Sequence, residues 1–492
     1  MTPLTALMEN PLFKPLWDAF PYLPACFSRW EGMTLGDIAA STYGTADRPG
    51  RMAASAEAID CMAALTARSL GPEAEAALRT SFSRSNAVLS ANLHGIDCLP
   101  EMVQAVHFFG LDRLASGERG TVIPVLSCGG ISLQSSAYPR GMLAFPEGQP
   151  IRFPLFRSAW QDTVELNAPA LTERDVRAIR PLWHVSHPYI RQGLDTVVRH
   201  MLAPETLALE RFGEQATGVN ASLCAERFSD SRPVVVYLEL EEVARALLFR
   251  DLERPDSLLH RALFVPHLRE SLVRRLAGVR GCWSPKAAAG QALPRTESNG
   301  TIFFWGTDER GRRHPLRLTS SQGELRLEGT GVRLPFTPEA VVEALRDRLV
   351  YPGLFVSYMT LVFEHGLRCY GGIFLANYLP TMIRHVCETF AERKEPLPPL
   401  PAETALAAFA VTVRARTSRG LFPAGMLEMA AAGGLDRTQL QFLANLPLED
   451  VLPFSLAEWC LQYVPEQHRP PEWETALRDA AEHWKGITLE LA

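Results

Sequence analysis

Lysine is nearly absent from this chain: four of its 492 residues are lysine (Lys14, Lys286, Lys394 and Lys485), against 45 arginines. A lysine Schiff-base mechanism has few residues to draw on, and the surroundings of Lys286 match no pyridoxal-phosphate motif. Cysteine is present but unpatterned. Nine cysteines run from Cys26 to Cys460 without a CxxC pair, which leaves structural zinc without its spacing, and their odd number fits reduced thiols. There is no GxGxxG and no Walker loop, so neither NAD nor ATP has sequence support.

Long apolar runs are missing as well. The longest, Leu354–Phe363, covers about half a membrane span and contains Ser357, Tyr358 and Thr360, so it is expected as a buried helix and no membrane partner is expected. The first residues carry an acid and no early basic residue, so no export signal is read and the expected compartment is the cytosol. A net charge of -6 without a basic domain argues against nucleic acid as a partner and leaves a small-molecule substrate.

What is present is an ordinary globular composition, 47% hydrophobic and 21% charged, in a chain long enough for two or three domains. Ser55 and Gly71 bound a helix over Glu57–Leu70, and a second follows over Pro72–Ser81. The apolar runs Ala87–Ser90, Val122–Leu126 and Pro233–Leu240 predict buried strands, with helices over Glu101–Phe109, Leu194–Phe212 and Glu241–Arg250 between and after them. Thr172 and Asp175 predict a capping box for a helix over Thr172–Arg180. The Asp308–Gly311 turn between two apolar-periodic runs predicts a hairpin, and Glu324–Glu328 and Val332–Leu334 add short strands. The polar segment Glu364–Gly372 is expected as a turn between two buried helices, and Arg393–Ala402 as a linker.

The expected fold class is α/β, with mixed α+β as the alternative. An α/β domain with the candidate site covers residues 1–255, a connecting region with a small antiparallel sheet covers 256–336, and a helical domain covers 337–492.

In open α/β sheets, ligands bind where loops leave the carboxyl ends of strands, which directs attention to the loops after Ser90 and Leu126. The first holds Asn92, His94 and Asp97: His94 is the candidate general base or metal ligand, and Asp97 its orienting carboxylate. The second holds Ser127, Cys128, Gly129 and Gly130. Cys128 is the candidate nucleophile, and the glycine N–H groups are candidate donors to a substrate anion. Asn92, Ser127, Gly129, Gly130 and Arg140 form the expected substrate-binding set.

His184 and His187, three apart, would share one helix face and hold a divalent metal with His94; Asp97, Asp195 or Glu147 would complete the site. Residues 261–317 carry eleven basic side chains against four acidic ones, an excess suited to a carboxylate or phosphate substrate. The expected function is a soluble cytosolic enzyme acting on a small polar anionic metabolite, a hydrolase or lyase if metal-assisted. Metal-free group transfer through Cys128 is the alternative within enzymes. A non-catalytic scaffold docking a protein through its helical C-terminal region is the alternative outside them.

Overall fold

Four short strands with apolar residues on both faces pair in parallel to form the central sheet. They are β1 (Ala87–Leu89), β2 (Val122–Ser127), β3 (Val234–Glu239) and β4 (Arg368–Tyr370), in the order β4-β1-β2-β3. The computed structural model describes residues 3–43, 53–90, 95–133, 141–183, 187–230, 232–291, 300–321, 323–397, 406–407 and 409–491. Side chains alternate across the sheet. Ile123, Val125, Val235 and Tyr237 enter one hydrophobic core, and Val122, Leu126, Val236 and Leu238 enter the other. A parallel sheet covered on both faces reads as unbroken apolar sequence, which is why the first three strands were expected where they stand. Each such side chain contributes about 1.5–3 kcal/mol on burial.

The β2–β3 ladder runs through six register pairs from Val122↔Val234 to Ser127↔Glu239. The β1–β2 ladder has one, Leu89↔Val125, beside Pro124, which has no N–H to give. Among the helices, α1 (Ala56–Leu70) starts at Ser55, whose Oγ accepts from Ala58 N, and ends at Gly71 with φ 85°. The Thr172–Asp175 capping box forms as expected. Helix α2 (Pro100–Phe109) carries the chain from β1 to β2 over the first core, and α3 (Phe212–Glu226) precedes β3 on the same face. After β3 the chain turns to the opposite face through α4 (Leu240–Asp251), whose Val243, Leu247 and Leu248 enter the second core. The chain leaves β2 toward the first core and β3 toward the second, so the carboxyl ends of these two strands lie where the connections change face.

Several expectations need correction. The turn expected over Glu364–Gly372 contains β4, paired to β1 by Ala87↔Arg368, Val88↔Cys369 and Leu89↔Tyr370. Its charged residue is satisfied from afar: Arg368 Nε donates to Asn86 Oδ1 at 2.7 Å, and Nη1 donates to Thr42 O at 3.0 Å. The helix expected over Leu194–Phe212 is instead three, Pro188–Met201, Pro204–Leu207 and α3, with prolines opening the first two. The middle region holds two three-stranded sheets rather than one. The expected hairpin of Phe304–Thr307 with Arg313–Pro315 is joined by Val350–Pro352, and the second sheet takes strands from Arg317 to Pro335. The C-terminal region is mainly helical, with a small sheet made by Val413–Thr417, Gly420–Pro423 and Ile487–Glu490. Leu354–Phe363 is buried as expected, and no helix among the described residues is long and apolar enough to cross a membrane.

Candidate functional site

The carboxyl ends of β2 and β3 bring together a tight glycine turn and four glutamates. The turn Cys128–Gly130 does not present its donors to open space. Glu241, at the start of α4, accepts from Gly129 N at 2.8 Å, Gly130 N at 2.9 Å and Cys128 Sγ at 3.0 Å. Burial and the Glu241 charge push the Cys128 thiol well above its ordinary value, so its proton stays on sulfur. Ser127 Oγ donates to Leu238 O at 3.3 Å. The turn expected to serve a substrate anion or a thiolate thus binds a carboxylate of the chain itself.

Glu165 arrives from another segment. Residues 129–133 pair with 163–166 through Leu133 N to Thr163 O, Glu165 N to Ile131 O and Leu166 N to Gly129 O, at 2.9, 2.9 and 3.2 Å. This places the Glu165 carboxyl beside Gly129, where a Cβ would lie 2.7 Å from Glu165 Oε2. A Cβ on Gly213 would lie 2.2 Å from Glu239 Oε1, and one on Gly130 would lie 2.5 Å from Glu241 Oε1. All three contacts are far inside van der Waals range, so three glycines make room for three carboxyls.

These carboxyls are neutralised unequally. Glu242 receives both Arg348 Nη atoms at 2.9 Å and Arg245 Nη2 at 2.9 Å; burial opposes its charge, but the arginines hold it down at about 2. Glu239 has one cation in direct contact, Arg211 Nη1 at 3.1 Å, and burial lifts it to about 7. Glu165 is 0% exposed, and among the described residues no N–H or O–H donor reaches either oxygen. Burial, with the neighbouring Glu239 and Glu241 charges, raises Glu165 well above the carboxylate range.

One cation at this site lacks a carboxylate partner among the described residues. Arg313 is half-buried, donates from Nη1 to Gly130 O at 2.9 Å, and lies over the Trp305 ring at 4.1 Å. The rest of the basic excess over residues 261–317 disperses: Arg261 pairs with Glu395, Arg275 with Glu388 and Glu392, and Arg312 with Asp308. No single clamp forms there, and Arg313 is the member that reaches the turn.

Of the remaining expected residues, Asn92, His94, Arg140 and His184 lie outside the described residues. Asp97 is buried and tied to β3: Tyr237 Oη donates to its Oδ2 at 2.9 Å and Leu99 N to its Oδ1 at 3.3 Å, while burial lifts it to about 6. His187 is not on a helix face. It is the extended residue before Pro188, at φ -88° and ψ 127°, because a proline disfavours helical geometry in its predecessor, so an i, i+3 pair with His184 on one helix is corrected. His187 Nε2 lies 3.6 Å from Glu147, one of the carboxylates considered for a metal, but Arg419 also reaches Glu147 at 3.2 Å. Among the described residues, no group of three or more His, Cys, Asp or Glu side chains is arranged to hold a metal ion.

Sequence reasoning missed Glu165, Glu239, Glu241 and Arg211. Glu239 and Glu241 carried a usable signal, since acids directly following the clearest buried strand stand at a strand's carboxyl end. Glu165 carried none, because long-range pairing delivers it. Neither a protein-family model nor a curated protein matches the chain.

Proposed function

We propose that the chain is an enzyme that binds a small anionic molecule at the carboxyl ends of β2 and β3 and moves a proton through the Glu165–Glu239 pair. The observation that carries this is the Glu165 carboxyl, fully buried beside the Glu239 and Glu241 carboxyls, with no cation in contact among the described residues. A carboxyl raised well above the carboxylate range keeps a proton that an ordinary glutamate has already lost, and two neighbouring carboxyls divide into one acid and one base. Arg313 supplies the anion contact, since a guanidinium has five N–H donors and Gly130 O takes one. Proton transfer next to a bound anion serves hydrolysis and elimination alike, which keeps the hydrolase or lyase class.

The Cys128 transfer reading is less favoured because its thiol proton is directed to Glu241. The scaffold reading gains no apolar docking patch: the exposed large apolar side chains among the described residues are Trp160, Leu349 and Phe442, each from a separate segment. No disulfide joins cysteines among the described residues, which fits the proposed reducing cytosol.

A thermal-shift screen of small carboxylates and phosphates tests the site. At least one anion is expected to raise the melting temperature, with affinity about tenfold or more weaker in Arg313→Ala through the lost charged hydrogen bonds. Turnover of that compound is expected to vanish in Glu165→Gln. If no anion stabilises the protein, or if Arg313→Ala binds the hit as tightly as the parent, the proposal fails.

A further inference from the structure

His365 belongs to a second constellation, at the opposite ends of the strands, where Asn86 Nδ2 reaches Gly366 O just before β1 and β4 begin. A π-helical segment, Met359–Glu364, ends at His365, whose N–H donates to Thr360 O at 3.1 Å. Such wide turns recur at functional sites because the extra residue re-aims the side chain that follows. His365 is 3% exposed and spans two partners: its Nε2 lies 2.9 Å from Asp251 Oδ2, at the end of α4, and its Nδ1 lies 2.6 Å from Ser55 Oγ, at the start of α1.

The proton positions follow from the partners. Asp251 Oδ1 accepts from Arg254 Nη2 at 3.0 Å; in the imidazole tautomer that donates from Nε2 to Asp251 Oδ2, Nδ1 is left as the acceptor. In that tautomer the Ser55 hydroxyl donates to His365 Nδ1. Ser55 Oγ in turn accepts from Ala58 N at 3.1 Å, and the first-turn N–H groups of Ala56 and Glu57 have no carbonyl partner within the helix. Ser55 is half-buried and its neighbours Ala53, Ala54 and Ala56 are small, with Ala53 and Ala56 exposed. A helix cap needs only Ser55, and a buried ion pair needs only His365 and Asp251. Neither requires the imidazole to accept the capping hydroxyl's proton.

We propose that Ser55, His365 and Asp251 form a second catalytic site in which Ser55 is a nucleophile toward small uncharged carboxylic esters. Ser55 Oγ attacks the acyl carbon while its proton passes to His365 Nδ1. The ester C–O bond breaks, and that proton leaves with the alkoxide as the alcohol. Water then attacks the acyl carbon, its proton passes by His365 Nδ1 to Ser55 Oγ, and the carboxylic acid departs. Asp251 holds the imidazole tautomer and stabilises the imidazolium. The Ala56 N–H, on the residue after the nucleophile and at a helix N-terminus, is placed to receive the oxyanion.

The test is a fluorophosphonate probe on the full chain, read by intact mass and peptide mapping. One adduct, on Ser55, is expected. His365→Gln should label at least about 100-fold more slowly, the range a general base supplies. Ser55→Asn keeps a good helix cap and should give no adduct with an unchanged circular-dichroism spectrum. Absence of an adduct on Ser55 in the folded parent protein, or equal labelling in folded His365→Gln, overturns the proposal.

Discussion

The protein is expected to be more stable near pH 5 than near pH 8, by a few kcal/mol. Burial lifts Glu239 to about 7 and Asp97 to about 6 and raises Glu165 well above the carboxylate range, whereas unfolded carboxyls titrate near 4. Between those limits the native chain holds protons that the unfolded chain has released, so stability falls as pH rises through the window. The contribution is complete below about 4 and is lost, for Glu239, by about 7, at about 1.4 kcal/mol per pH unit per group.

Other groups run the other way, His107 and Glu242 among them. His107, pushed down by burial to about 3, stays neutral in the folded chain and costs stability as pH drops below about 6.5. Glu242, held at about 2, gives stability that disappears only in stronger acid. The carboxyls outnumber His107, so the net slope from pH 5 to 8 is negative. Urea unfolding across that range checks the sign, and Glu239→Gln should flatten the profile. A midpoint that climbs with pH would show that these carboxyls are ionised at little cost.

Glu241→Gln is expected to destabilise the fold by about 3 kcal/mol and to make Cys128 reactive. The turn offers Glu241 three donors, Gly129 N, Gly130 N and Cys128 Sγ. An amide brings one acceptor oxygen and turns its NH2 toward donors, leaving buried N–H groups unpaired at about 1–3 kcal/mol each. Loss of the carboxylate charge also removes one of the two main causes that keep the thiol protonated. Denaturation midpoints give the first effect and the iodoacetamide rate at Cys128 gives the second. A variant matching the parent in both would mean that Glu241 does not hold the turn.

The sequence made some of this legible for identifiable reasons. Caps at Ser55 and Thr172 were visible because a capping hydroxyl bonds within three residues of itself. Strands β1 to β3 were visible because burial on both faces makes each an unbroken apolar run. Strand β4 was hidden, since Arg368 looks like a surface residue until Asn86, Thr42 and Tyr370 surround it. At the candidate site, the paired glycines of Gly129–Gly130 marked a close approach correctly, but which group approaches is decided by a residue 112 positions away. The Glu165–Glu239 pair depends on one pairing between loops and one between strand ends, and no local pattern encodes either.

The late arrival of β4 has a consequence for biosynthesis. Its ladder partner β1 lies some 280 residues earlier, as the Asn86 to Gly366 bond records, so one side of β1 stays without a neighbour until most of the chain has left the ribosome. Closing so long a loop makes the sheet slow to complete, and until then β1 offers an open edge to other nascent chains. Chains truncated before Arg368 should accumulate as aggregates that a separately supplied C-terminal fragment reduces, which would make the last quarter of the molecule, in effect, an intramolecular chaperone for the first strands.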